Sequence, residues 1–124
     1  MTKRIQDDAD SVLKSVVEAM QDKKAKKIIS LDLSKIQNAV SHYFVICSAA
    51  SKTQVDAIFD NVVETVKMNC GINPSHREGV SNAEWILIDY FDVVVHIFVE
   101  ETRDFYKLEE LWADAPSAEY KSDS

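Results

Sequence analysis

The stretch at residues 84–99, EWILIDYFDVVVHIFV, limits what this chain can fold into more than any other. Side chains on a strand alternate faces with period two, and both halves of the stretch carry that alternation, so it reads as two strands joined at Phe91-Asp92. With a two-residue turn, Tyr90 lies opposite Val93. The pairs outward are then Asp89/Val94, Ile88/Val95, Leu87/His96, Ile86/Ile97 and Trp85/Phe98. One face gathers Ile86, Ile88, Tyr90, Val93, Val95 and Ile97, all suited to a core. The other gathers Trp85, Leu87, Asp89, Val94, His96 and Phe98. This second face is too apolar for plain solvent exposure and too polar for a dry core. Two readings fit it: a sheet face that binds a partner, or a face covered by a helix of the same chain.

A chain of 124 residues suffices for one domain with a real core. With 46% apolar residues and only two Gly and two Pro, it should be ordered and rich in regular elements. Lys and Arg number 14 against 21 Asp and Glu, a formal net charge of −7. Nucleic acid phosphates repel such a molecule, which argues against direct DNA binding and favours a basic protein partner. Cys47 falls in an apolar strand and Cys70 near a helix end. Neither has metal-ligand spacing, so both read as reduced structural thiols of a cytosolic protein. The polar, acidic stretch from Thr2 to Asp10 has no apolar signal core, and no apolar run is long enough to span a bilayer. The expectation is a soluble, cytoplasmic protein with no membrane association.

Taken in order, residues 6–22 read as a helix whose stripe is Ala9, Val12, Leu13, Val16, Val17 and Met20. Asp7, Asp8 and Asp10 lie in its first turn, where carboxylates suit the helix dipole. Lys23, Lys24, Lys26 and Lys27 follow. This one basic cluster reads as a solvated helix terminus, with a phosphate or RNA site as the competing reading. Residues 26–33 and 42–48 read as strands, the second apolar on both parities and therefore central; residues 34–41 connect them. Ser51 and Gln54 have capping-box spacing at the start of a long helix. That helix buries Val55, Ile58, Phe59, Val62, Val63 and Val66 and ends at Gly71. Residues 72–78 form a short strand that Pro74 assigns to an edge, and a polar loop precedes the hairpin. Residues 101–112 read as one helix with a sparse stripe of Phe105, Leu108, Leu111 and Trp112, stopped by Pro116. Residues 1–115 thus form one domain, and 116–124 read as a flexible acidic, Ser-containing tail. The order α-β-β-α-β-β-β-α predicts an α/β sandwich with a mixed sheet of about five strands.

Catalytic constellations are weak. Ser48-Ala49-Ala50-Ser51-Lys52-Thr53 precedes a helix start, a place able to bind anions, but it lacks G-x-x-x-x-G-K and reads as a capped helix start. Asp32 and Asp89 form no D-x-D pair for Mg²⁺, and Asp89 and Asp92 flank a turn, where such residues are common. His42, His76 and His96 fall on separate strands. Cys47 has no setting that would lower its pKa. The expectation is no catalytic residue, no metal site and no cofactor. Interaction chemistry is better supplied. Trp85 and Phe98 face each other, and an exposed Trp/Phe pair flanked by Leu87, Asp89 and His96 makes a binding hot spot, aromatic anchors ringed by polar groups. Tyr106 and Trp112 either extend that face from the last helix or pack in the core.

Several strings carry a family resemblance. They are IISLDL at 28–33, YFVI at 43–46 with Cys47-Ser48, the helix start from Ser51 to Val55, Glu78-Gly79, EWILIDY at 84–90, DVVVHIF at 92–98 and ETRDFYKLEELW at 101–112. The patterns D-Y-x-D-V-V-V-H-I-F and R-x-F-Y-x-L-E-x-L-W, in this order, are highly specific. By these strings, which run from about Ser11 to Trp112, the chain resembles the ribosomal silencing factors, the Iojap-related proteins.

The resemblance implies a nucleotidyltransferase-like fold without that activity. It implies binding to the large ribosomal subunit through its fourteenth ribosomal protein, a basic component of the subunit-joining face. Occupying that site blocks joining of the small subunit and represses translation when nutrients are scarce, with a part in large-subunit biogenesis and a homodimer off the ribosome. Trp85 then becomes the aromatic contact to the ribosomal protein; Leu87, Asp89, His96 and Phe98 join it by face parity. The alternative is a small nucleotidyltransferase-fold enzyme that keeps nucleotide binding. Two departures stand out. Phe91 occupies a turn position where the family usually has Gly, so a positive φ there would be strained. His42 stands where Asp is common, so any role of that carboxylate does not carry over.

Overall fold

The computed structural model describes residues 5–36 and 42–122, with the side chains of residues 5–8 outside the description. In chain order the elements are α1 (Ile5–Asp22), β1 (Lys26–Asp32), β2 (Tyr43–Ala49), α2 (Lys52–Cys70), β3 (His76–Glu78), β4 (Trp85–Asp89), β5 (Val93–Val99), α3 (Glu100–Tyr106), α4 (Leu108–Leu111) and β6 (Ser117–Tyr120). The strands form one six-stranded sheet in the order β3-β4-β5-β2-β1-β6. All neighbours are antiparallel except the central pair, β2 and β5, which runs parallel from Tyr43↔Val93 to Ala49↔Val99. The mixed sheet and the single-domain α/β architecture are those expected, with one strand more.

The hairpin forms in the register that alternation predicts, from Trp85↔Phe98 to Asp89↔Val94. Its apolar face, Ile86 through Ile97, joins Val45 and Cys47 of β2 beneath the stripes of α1 and α2. Both helices supply it as their periodicity requires: Ala9, Val12, Val16, Val17 and Met20 from α1, and Val55, Ile58, Phe59, Val62 and Val66 from α2, are all buried. Full burial of an aliphatic side chain is worth roughly 1.5–3 kcal/mol, so this layer is the main source of stability. Asp7 and Asp8, placed by the sequence in the first turn of α1, lie outside the described side chains, and residues 37–41 of the connector lie outside the description altogether.

α2 is capped at both ends. The Gln54 N–H donates to Ser51 Oγ at 3.2 Å. The Gln54 side chain turns back to accept from the Ala50 N–H at 3.3 Å, one residue earlier than a standard capping box. Gly71, at φ 68°, closes the other end by donating its N–H to the Lys67 carbonyl at 2.9 Å. β3 is a three-residue edge strand, wholly exposed, as Pro74 suggests.

Two expectations are corrected. The segment read as a flexible tail contributes β6, which pairs antiparallel with β1 from Leu31↔Ser117 to Ile28↔Tyr120. An open strand edge carries unpaired N–H and C=O groups, and β6 satisfies those of β1. A hydrogen bond between the Tyr120 and Ser30 hydroxyls (3.0 Å) and donation from the Gln21 amide to the Lys121 carbonyl (2.8 Å) hold it there. The single helix expected at 101–112 is broken at Lys107, whose φ is 49°. The break changes the phase of the apolar stripe. Leu108 and Trp112 pack on the second sheet face with Leu31, Leu33, Phe44, Ile46, Val94 and Phe98, whereas Phe105 and Leu111 stand 80% and 74% exposed.

Candidate functional site

The second sheet face is built from the other parity of the hairpin, and its entry point is set by a glycine. Gly79 has φ +78°, and a Cβ there would lie 2.1 Å from the Trp85 carbonyl oxygen, so only glycine lets the preceding loop cross against the start of β4. The Ala83 N–H closes that loop onto the Gly79 carbonyl at 2.9 Å. Trp85 follows at the rim of the sheet, half-buried.

Three groups hold the Trp85 indole. It stacks on Phe98 with centroids 4.8 Å apart and an interplanar angle of 27°. Its Nε1–H donates to His96 Nδ1 at 3.1 Å. Tyr106 lies against it at 5.0 Å, and Phe105 meets Tyr106 edge-on at 5.1 Å. An aromatic row therefore runs from buried Phe98 and His96, through Trp85, to exposed Tyr106 and Phe105. Beneath, Phe44 packs edge-on to both His96 and Trp112.

The Trp85–His96 bond dictates a tautomer. Nδ1 accepts, so the neutral imidazole carries its proton on Nε2. Nε2 is buried and has no partner among the described residues, an arrangement that costs roughly 1–3 kcal/mol. Burial also pushes the His96 pKa down to about 4. The ring is thus neutral at physiological pH and its Nδ1 lone pair stays available to the indole. A protonated ring would set N–H against N–H and lose the bond.

Of the five residues the sequence assigns to the partner face, Trp85 and Leu87 lie half-buried on one face of β4 and reach the surface. Asp89 sits on the same face but four residues on, about 13 Å along the strand. There its Oδ1 accepts the Phe91 N–H at 2.8 Å, so it braces the turn. His96 and Phe98 are only 3% and 0% exposed. The expected exposed Trp85/Phe98 pair is therefore corrected: the two rings stack as the register requires, but Phe98 is enclosed in the cluster that Leu108 and Ala115 complete. The C-terminal segment covers one portion of this face, as the second reading expects, and leaves Trp85 and Leu87 at the rim. Of the two residues that could extend the face, Tyr106 does so at the surface and Trp112 packs inward. Phe105 and Leu111, which share the apolar stripe of an unbroken 101–112 helix by spacing, instead face solvent because the helix breaks at Lys107.

The hairpin tip is strained, as Phe91 in the place of a turn glycine predicts. Phe91 has φ 71°, and the Asp92 N–H donates to the Tyr90 carbonyl at 2.9 Å, the signature of a rare γ-turn. The groups a catalytic reading would use are occupied otherwise. Cys47 is fully buried, and burial pushes its pKa up to about 12. Asp32 accepts from the Ser34 hydroxyl (2.6 Å) and N–H (3.0 Å), which holds its carboxyl below the usual range. Among the described residues no group of three or more His, Cys, Asp or Glu could hold a metal ion, and no helix is long and apolar enough to cross a membrane.

Comparison with known proteins converges on one family. Residues 6–124 match the family described as "Ribosomal silencing factor during starvation". The chain is 42% identical over 109 residues to ribosomal silencing factor RsfS of Bacillus subtilis, covering 88% of this chain and 91% of that one. It is 35% identical over 72 residues to the mouse protein named mitochondrial assembly of ribosomal large subunit protein 1, covering 56% of this chain and 32% of that one. The crystal structure of protein CV0518 from Chromobacterium violaceum matches with a TM-score of 0.79 at 34% identity, covering 90% of this chain and 88% of that one.

Proposed function

Because the chain belongs to the ribosomal silencing factor family, we propose that it works by occupying a surface: it binds the large ribosomal subunit through that subunit's fourteenth ribosomal protein and so blocks joining of the small subunit. The observation that carries this reading is the Trp85 indole, half-exposed yet fixed by Phe98, His96 and Tyr106. A large ring held in one orientation loses little freedom on binding, which is what a hot-spot anchor needs. Leu87, Tyr106 and Phe105 extend the contact. Glu101, Asp104 and Glu110 are exposed on the segment that carries the aromatic row. Of the two cations between them, Arg103 is buried and paired with Glu109 at 3.2 Å, and exposed Lys107 offsets only one of the three carboxylates. The exposed carboxylates suit a basic ribosomal protein and would speed its encounter.

In this reading His96 and Phe98 do not touch the partner; they set the indole, and Asp89 braces the hairpin. No covalent step is involved, only competition for the joining face. The consequences are repression of translation under nutrient limitation, in the cytoplasm, with a homodimer as the form off the ribosome. The name of the mouse relative supports a further part in large-subunit assembly.

The test is sucrose-gradient sedimentation of purified subunits, with wild type or Trp85→Ala added before mixing. Wild type is expected to travel with the large subunit and suppress the joined peak. Trp85→Ala should lose roughly 2 kcal/mol or more of subunit affinity while staying folded. Wild type that neither co-sediments nor suppresses joining overturns the reading.

A further inference from the structure

The basic run after α1 is held in an unusual way. Every carbonyl from residue 23 to residue 27 accepts a bond from a side chain. Gln54 Nε2 donates to those of Lys23 (3.2 Å) and Lys24 (3.4 Å), Ser122 to that of Ala25, Ser48 to that of Lys26 (3.3 Å) and Arg103 Nη1 to that of Lys27 (2.7 Å). With the backbone tied inward, Lys23, Lys24, Lys26 and Lys27 all stand exposed. Two of them, Lys24 (φ 57°) and Lys27 (φ 52°), adopt left-handed backbone, unfavourable for a residue with a side chain and seen where the surroundings enforce it. At Lys27 this accompanies a register shift in β1 between Lys26 and Ile29, which turns consecutive lysines outward where a regular strand would alternate them.

β6 then brings a fifth cation to the same place. Exposed Lys121 and the Tyr120 ring close two adjoining cavities of about 610 and 590 Å³, both of which Lys27 also lines. Acidic neighbours reduce the charge without cancelling it. Glu100 pairs with Lys26 at 3.4 Å, Glu119 lines one cavity, Asp22 adjoins the run, and Glu109 is engaged by Arg103. Lys23, Lys24, Lys27 and Lys121 make no side-chain ion pair among the described residues.

We propose that this rim binds the phosphodiester backbone of a folded RNA, with Lys23, Lys24, Lys27 and Lys121 as the phosphate contacts. Lysines are point charges on flexible stems, which suits backbone contact rather than base reading. A net charge of −7 repels phosphates from most of the molecule and so confines the contact to this one rim. The rim also lies near the aromatic row. Trp85 pairs with Phe98, Phe98 with Ser48 and Ser48 with Lys26 across successive strands, three strand spacings or about 14 Å in all. One large particle of protein and RNA could meet both surfaces at once.

The test needs no ribosomes, so it stands or falls apart from the silencing reading. A fluorescein-labelled RNA hairpin is titrated with the full chain by anisotropy across a series of salt concentrations. Wild type should bind saturably at low salt, with log K falling against log salt at a slope of about −3, as four phosphate contacts require. The Lys23→Gln/Lys24→Gln/Lys27→Gln/Lys121→Gln variant should bind at least tenfold more weakly. Trp85→Ala should bind as wild type does. If the fourfold variant fails to fold, Lys23→Gln and Lys121→Gln, each away from left-handed backbone, should separately reduce the slope by about one. No RNA binding by wild type at low salt, lysine variants indistinguishable from wild type, or loss of RNA binding in Trp85→Ala would each overturn the proposal.

Discussion

On one side of the β4–β5 hairpin, Ile86, Ile88, Val95 and Ile97 are sealed beneath α1 and α2; on the other, Trp85 and Leu87 stay half-exposed above His96 and Phe98. Alternate residues of one stretch have two fates because the two faces receive different covers. Two long helices close the first, and none of its hairpin residues is charged. A short helical segment, broken at Lys107, closes part of the second, where a neutral imidazole lies under an indole. The first face holds the fold together. The second gives up some stability, through an orphaned Nε2–H, and gains a fixed aromatic surface.

The sharpest way to break this contrast is Ile97→Ala. A fully buried Ile leaves a cavity, and the expected loss is about 3–4 kcal/mol by urea denaturation, with subunit binding by the folded fraction unchanged. Acid is the next lever, and it acts on the other face. The unfolded His96 takes up a proton near pH 6.5, whereas the folded ring resists until about pH 4. Within that window the unfolded state binds more protons, so stability is whole above pH 6.5 and declines as pH falls toward 4, by roughly 3 kcal/mol at most. Urea midpoints across this range should fall less steeply for His96→Phe than for wild type; parallel curves would show that the imidazole is not held neutral.

Trp85→Phe probes the anchor more gently than the alanine variant. It keeps the stack on Phe98 and removes the donor to His96, and about 1 kcal/mol of large-subunit affinity should go with it, read by titration. Phe91→Gly belongs to neither face and serves as a control. Relief of the left-handed backbone should stabilise the protein by about 0.5–1 kcal/mol in thermal melts without altering subunit binding.

The hairpin register was legible because strict alternation leaves one pairing that sorts all the apolar residues, and the same holds for the stripes of α1 and α2. The cover of the second face was not. Phe105, Leu108, Leu111 and Trp112 have helical spacing, and no Gly or Pro marks the break at Lys107, so the stripe looked continuous. The tertiary demand that Leu108 and Trp112 reach Phe44 and Phe98 outweighed local propensity. β6 was hidden for a related reason. SAEY carries little strand signal of its own, and its conformation comes from the open edge of β1. The Trp85–His96 bond joins diagonal neighbours on one face, a geometry the register allows and sequence alone does not single out.

The parallel pairing of β2 with β5 bears on how quickly the chain can fold. Tyr43 meets Val93 only after α2, β3 and β4 have been laid down between them. The loop-closure cost must be met before the central bonds reward it, so the nucleus is non-local and folding belongs to the slower class for this size. During synthesis the apolar stripe of α2 emerges before β5, so the layer it packs in stays incomplete until the hairpin follows. Substitutions in the β2–β5 register should therefore slow folding, while those in the edge strand β6 should chiefly hasten unfolding.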